Sequence, residues 1–172
     1  MKAESLDVVV RRASLADVEK IYALIHLHAE FLMLRSVGNI VENIDRFYVA
    51  CVKDEIVGCA SYQIHPELGK PESAMTEIQS VAVRAPYRRC GVGQALIERI
   101  MREVAVTGVH EVFVLTFAPK FFSSLGFKVI PKTQVIHKIY TGCINCTRHK
   151  DPFTCPEIAM SRACPQAPKE NA

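Results

Sequence analysis

Along this chain short continuous apolar runs rich in β-branched residues give way to segments whose apolar residues recur every third or fourth position, and each change marks an element. Val8-Val9-Val10-Arg11 predicts a first strand. Ser14 then stands as a candidate helix N-cap with Asp17 in the first turn, and Ile21, Leu24, Ile25 and Leu27 supply a buried stripe. A shorter helix is expected from Asn39 to Arg46, after a break at Gly38. Residues 46–52 and 56–64 read as the arms of a hairpin around Lys53-Asp54-Glu55, and His65 to Ser73 as a loop rich in turn residues. Ile78–Val83 predicts a buried strand. In the Gln94–Val104 segment the apolar residues at 96, 97, 100, 101 and 104 recur at the spacing of one helical face. Glu111–Phe117 predicts another strand, and Pro119–Leu125 a short helix ending at Gly126, a natural left-handed stop. A further strand is expected after Pro131, carrying Lys138.

The predicted order is β, α, α, β, β, β, α, β, α and a tail. It describes a mixed α/β fold: antiparallel strands followed by a βαβ unit in one mixed sheet, with helices on both faces. A single domain over 1–164 is expected, including the cysteine-containing segment 141–164, with 165–172 as a polar tail that frays.

Composition narrows the function classes. Hydrophobic residues make up 49% and charged residues 23% of 172, and the formal charge is only +3, which argues against a nucleic-acid partner. The charged start Met1-Lys2-Ala3-Glu4 is not a secretory signal, and no apolar run approaches the roughly 20 residues that span a bilayer. A cytoplasmic protein with no membrane partner and mostly reduced cysteines is expected.

Arg88-Arg89-Cys90-Gly91-Val92-Gly93 lies between the strand ending at Val83 and the helix beginning near Gln94. Glycines there permit positive φ, backbone N–H groups converge, and the helix dipole favours negative charge, so the turn suits a phosphate or pyrophosphate. An ordinary strand-to-helix turn with surface arginines would look the same from these residues alone. The turn lacks both the nucleoside-triphosphate loop pattern and the three glycines of a dinucleotide fingerprint.

Arg88, Gly91 and Gly93 match Arg-x-x-Gly-x-Gly, and the turn resembles the acetyl-CoA pyrophosphate loop of the GNAT N-acetyltransferase superfamily. The likeness extends over residues 74–83 and 121–127. It is closer still to the short bacterial N-acetylglutamate synthases at Leu32–Ser36, Leu115–Phe117, Phe121–Lys128, Cys143–Cys146 and Cys155–Met160. The resemblance implies a GNAT fold, acetyl-CoA as cosubstrate, and acetyl transfer to the α-amine of L-glutamate at the entry to arginine synthesis; the cysteine spacing, with one CxxC and no second, argues against a metal. It also allows a homodimer. Within the same chemistry the acceptor could instead be another amino acid, a polyamine or a protein terminus; a non-catalytic acyl-CoA-binding module is the rival of another class.

The resemblance implies roles residue by residue. Main-chain groups of Val81, Ala82 and Val83 would meet the pantetheine arm; the N–H groups of Arg89, Cys90, Gly91, Val92, Gly93 and Gln94, with the Arg88 side chain, would hold the pyrophosphate. Phe117 and Phe122 would flank the cofactor. Glu77 occupies the position of a catalytic glutamate, and a carboxylate there can take the proton an ammonium must lose before attack; a solvated strand-edge glutamate is the alternative. Phe122 stands where many GNAT enzymes carry a proton-donating tyrosine. Arg35 first and Lys138 second are the candidate cations for an acidic amino acid, each with a surface cation as the alternative. Cys143, Cys146, Cys155 and Cys164 offer one CxxC pair and two scattered thiols, open to zinc, plain packing or a redox-sensitive pair.

Overall fold

The structure, a computed structural model, describes residues 6–67, 70–146 and 148–165, so the expected frayed tail lies outside the described residues from 166 onward. The chain divides into two compact units, Met1–Tyr62 with Ile78–Ile100, and Gln63–Glu77 with Met101–Ala172. Seven strands run β1 (Val9–Arg12), β2 (Phe47–Val52), β3 (Glu55–His65), β4 (Met75–Val83), β5 (Glu111–Thr116), β6 (Lys128–Val129) and β7 (Ile158–Ala163). Their hydrogen-bonded order is β1-β2-β3-β4-β5-β7-β6. The pairs β1–β2, β2–β3, β5–β7 and β6–β7 are antiparallel and β4–β5 is parallel, giving the expected mixed sheet.

In the first unit, α1 (Val18–His26) presents Val18, Ile21, Leu24 and Ile25 to a core shared with Ile40, Phe47, Val49, Cys59 and Ala82. A 3₁₀ turn, Leu15–Asp17, precedes it. Asp17 accepts from the Ser14 backbone N–H at 2.8 Å and from both guanidinium ends of Arg11 at 2.7 and 2.9 Å. This bidentate contact holds the Asp17 carboxyl well below the usual carboxylate range. The second helix departs from expectation. α2 spans Val37–Glu42, with Gly38 inside it, because the Ser36 hydroxyl accepts from the Asn39 N–H and caps the helix earlier. The hairpin turn is tighter than expected: Lys53 and Asp54 both have positive φ, 48° and 65°, while Glu55 already pairs with Val52.

α3 (Val92–Ala105) begins in the first unit. Gly58 on β3 makes room for its start: a Cβ there would sit 2.9 Å from Val92 Cγ1 and 3.2 Å from both the Ala82 carbonyl and Leu96 Cδ1.

In the second unit, α4 (Pro119–Ser124) ends before Gly126, whose φ is 85°. Two expectations are corrected here. Lys138 is not on a strand: after a 3₁₀ turn, Ile136–Thr141 forms the helix α5, since Val135 and Ile139 bury one helical stripe against Phe113 and Ala159. The cysteine segment also ends in a strand. β7 inserts between β5 and β6, pairing Val114 with Met160 and Val129 with Met160 on its two sides.

Two outcomes follow from this packing. Gly58→Ala lowers stability by about 1–3 kcal/mol through overpacking against backbone, read as a lower urea midpoint with unchanged slope. Asp17→Asn costs about 1–3 kcal/mol near neutral pH. Because the folded Asp17 is the stronger acid, its contribution is complete above about pH 4 and is lost as pH falls through the folded value. The gap between wild type and Asp17→Asn therefore narrows steadily in denaturation curves taken from pH 5 down to 2.

Candidate functional site

The Arg88 turn has the backbone an anion requires. Arg89 and Gly91 adopt left-handed φ values of 62° and 82°, separated by Cys90, before α3 starts at Val92. Such alternation aims successive N–H groups toward one concavity, and the first four N–H groups of a helix have no partner within it. Nothing lies within 4 Å of a Cβ placed on Gly91, so the space above the loop is open. Arg88, Arg89, Cys90, Gly91 and Gln94 are exposed, whereas Val92 is buried and anchors the helix. The residues present fit a diphosphate.

The Arg88 side chain returns to β4. Its Nε donates to the Val83 carbonyl at 3.2 Å and its Nη2 to His28 Nδ1 at 3.1 Å, while His28 Nε2 lies 3.1 Å from the same carbonyl. With Nδ1 accepting, the ring proton is assigned to Nε2, which donates to Val83. Burial, and then the Arg88 charge, lower the His28 pKa, consistent with a neutral ring. His28 was one of several scattered histidines in the sequence, and no local pattern marks it. Val81 and Val83 are half-buried and Ala82 buried, as alternation on a strand requires.

Arg35 is held rather than solvated. Its Nε donates to Ser80 Oγ at 2.7 Å and its Nη1 to Asn39 Oδ1 at 2.6 Å; Nη2 donates to Gln79 Oε1, and the guanidinium lies 5.8 Å from the Phe47 ring centroid. Ser80 takes a left-handed φ of 53° within β4, an unusual conformation for a serine in a strand. The planar cation is thus fixed by three side-chain acceptors.

In the second unit Glu77 is 4% exposed, opposite Phe113 of β5. Its Oε2 lies 2.9 Å from His65 Nε2 and 3.0 Å from Lys138 Nζ. His65 and the Lys138 side chain are 7% and 13% exposed, which excludes the reading of Lys138 as a surface cation. Nor is Glu77 a solvated edge glutamate. Lys138 reaches the carboxylate across Gly142, where a Cβ would lie 3.1–3.3 Å from its Nζ, Cε and Cδ. The Glu157 carboxyl is pushed up by burial and then by the Glu77 charge, with Lys138 and Lys132 opposing. His65 opened a predicted loop, and Glu157 lies more than 70 residues after Glu77 in sequence, so no spacing rule could have joined them.

Phe122 is buried edge-on between Phe121 and Phe127, with ring centroids 4.9 and 5.4 Å away, while Phe117 is exposed on the loop after β5. All seven cysteines are free thiols. Burial raises the Cys143, Cys155 and Cys164 thiols and pushes Cys59 up to about 12, so these are protonated near neutral pH. Cys164 points its thiol at the Met101 carbonyl, 3.6 Å away. Among the described residues no group of three or more His, Cys, Asp or Glu is arranged to hold a metal ion, and no helix is long and apolar enough to cross a membrane.

Comparison with known proteins agrees with this geometry. A family model of the acetyltransferase (GNAT) domain matches residues 43–129. An uncharacterized N-acetyltransferase of Chlorobaculum tepidum is 38% identical over 90% of this chain and 95% of its own. The amino-acid acetyltransferase of Mycobacterium tuberculosis is 32% identical over 77% of this chain and 75% of its own. The crystal structure of N-acetylglutamate synthase from Neisseria gonorrhoeae with coenzyme A and N-acetyl-glutamate superposes with a TM-score of 0.76 at 20% identity, covering 95% of this chain and 37% of that one. The chain belongs to the GNAT acetyltransferase family and is an N-acetyltransferase whose acyl donor is acetyl-CoA.

Proposed function

We propose that this acetyltransferase acts in the cytoplasm on the α-amine of a small acidic amino acid, L-glutamate, by direct transfer from bound acetyl-CoA. The observation that carries the reading is Glu77: a buried carboxylate with a lysine ammonium at 3.0 Å puts a proton acceptor and a carboxylate-binding cation side by side. In the first unit the anchored Arg35 guanidinium is a planar cation of the kind suited to a carboxylate. The amino-acid acetyltransferase relative and the N-acetylglutamate synthase neighbour favour the same substrate class.

In this reading the N–H groups from Arg89 to Gln94 hold the diphosphate and Arg88 supplies charge. The two acceptor positions of the Val83 carbonyl are taken by His28 and Arg88. Turning Arg88 onto the diphosphate releases one of them to the pantetheine amide, so diphosphate binding and alignment of the arm are coupled. Glu77 takes a proton from the substrate ammonium. The neutral amine then attacks the thioester carbonyl, whose developing charge meets a β4 N–H near Val81. The C–N bond forms as the C–S bond breaks; the thiolate leaves without help from Phe122 and takes the second proton, which the acylated nitrogen sheds. A thiolate of pKa near 8.5 is a competent leaving group. Overall, acetyl-CoA and an ammonium give the acetamide, CoA thiol and one proton.

The test is turnover with an acceptor panel of L-glutamate, other amino acids, polyamines and a peptide N-terminus, followed by release of free CoA. Turnover confined to L-glutamate is expected; turnover confined to the polyamines or the peptide overturns the substrate. Glu77→Gln is expected to lower kcat/KM about 10²–10⁴-fold, and a loss below about tenfold removes Glu77 as the base. Arg88→Ala raises the KM for acetyl-CoA about tenfold or more with kcat little changed, the loss expected of one charge-assisted hydrogen bond.

A further inference from the structure

Two donors converge on one oxygen of Glu77, and one of them carries a full charge. An ammonium 3.0 Å from a carboxylate favours the ionised form and so weakens it as a proton acceptor. In a buried pair the effect is stronger, because protonating Glu77 leaves the Lys138 ammonium beside a neutral acid with little water to solvate it. Glu77 can therefore receive a substrate proton readily only if the Lys138 charge acquires another anion.

Among the described residues, the other groups that face the pair are weak candidates for that anion. His65 comes from β3 and donates to the same oxygen, with His137 against its ring; Phe113 of β5 is apolar. Cys143, just past α5, is held protonated by burial. Glu157 is half-buried; burial and then the Glu77 charge raise its carboxyl, against Lys138 and Lys132, so it is a poorer anion than Glu77, and it accepts from the Cys155 thiol. Lys138 is also free of the fork geometry that would lock an arginine in place. It is a point charge on a flexible stem, lying over Gly142, which presents no side chain to it.

We propose that Lys138 is a specificity-determining residue that restrains the base: a carboxylate of the acceptor draws the ammonium off Glu77, and only then does Glu77 become basic enough to deprotonate the acceptor's ammonium. The step transfers one proton, from R–NH3⁺ and Glu77–COO⁻ to R–NH2 and Glu77–COOH, while the Lys138 charge is carried by the substrate carboxylate. An amine without a carboxylate leaves the pair closed. The enzyme thus selects amino acids by activation of the base as well as by binding. The inference rests on Glu77 being the base.

The test follows the carbon-13 carboxyl resonance of Glu77, assigned by its loss in Glu77→Gln, across pH in CoA-bound enzyme with and without a saturating acceptor. The acceptor is the one that the panel selects. In wild type the acceptor is expected to move the titration midpoint of Glu77 upward by about one unit, a tenfold gain in proton affinity. In Lys138→Met the midpoint already starts high and moves little. The acid limb of kcat follows the same pattern, lying above that of kcat/KM in wild type and coinciding with it in Lys138→Met. Gly142→Ala, which crowds Lys138 without removing its charge, gives an intermediate starting midpoint. An acceptor lacking a carboxylate, a wild-type midpoint that does not move, or an equal movement in Lys138→Met overturns the proposal. If Lys138→Met fails to fold, the wild-type midpoint decides alone. Glu77→Gln activity within tenfold of wild type removes the base reading instead, while the resonance still reports whether the acceptor displaces Lys138.

Discussion

A carboxylate as buried as Glu77 costs several kcal/mol unless its charge is answered, and much of the second unit is arranged so that it is. The parallel register of β4 on β5 sets Glu77 opposite Phe113, against an apolar wall. β3 extends to His65 and so delivers an imidazole to Oε2. α5 is docked through Val135 and Ile139, and the absence of a side chain at Gly142 opens a path for Lys138. Each part has an ordinary packing cause, and together they leave a charge pair whose members are held by one another more than by solvent.

The anion turn obeys a different constraint. Its N–H groups can converge only if the helix behind it is fixed, and Val92 and Leu96 fix α3 by packing against the bare Gly58 of β3. The turn itself stays exposed and carries left-handed residues at 89 and 91. A rigid base under an open loop is what a large, charged, exchangeable ligand needs: the geometry is set before binding, and little ordering remains to oppose it.

The acetyl-transfer chemistry asks little covalent work of the protein, so charge and position carry most of it. That explains why Phe122 is tolerated where a tyrosine would give a proton: its ring is part of the aromatic packing of Phe121, Phe122 and Phe127, and the leaving thiolate is already stable. It also explains why the thiols of the cysteine segment need no activation. Burial keeps Cys143, Cys155 and Cys164 protonated.

What was legible beforehand was local. Apolar runs placed β2, β3, β4 and β5, whose strands are largely buried, and the helical period placed α3, which buries one stripe. The Arg88 turn could be read because left-handed backbone favours glycine, and Ser14 with Asp17 because an N-cap has few chemical solutions. Three decisions belonged to the tertiary structure. Ile158–Ala163, with its alanines, methionine and arginine, has weak strand propensity and became β7 only by pairing with β5, more than forty residues earlier. Ile136–Thr141 contains β-branched residues and became helical because Val135 and Ile139 bury together. The meeting of Glu77 with His65 and Lys138 followed from both, since a charge pair across 61 positions of chain leaves no trace in spacing and exists only once the elements that carry it have packed.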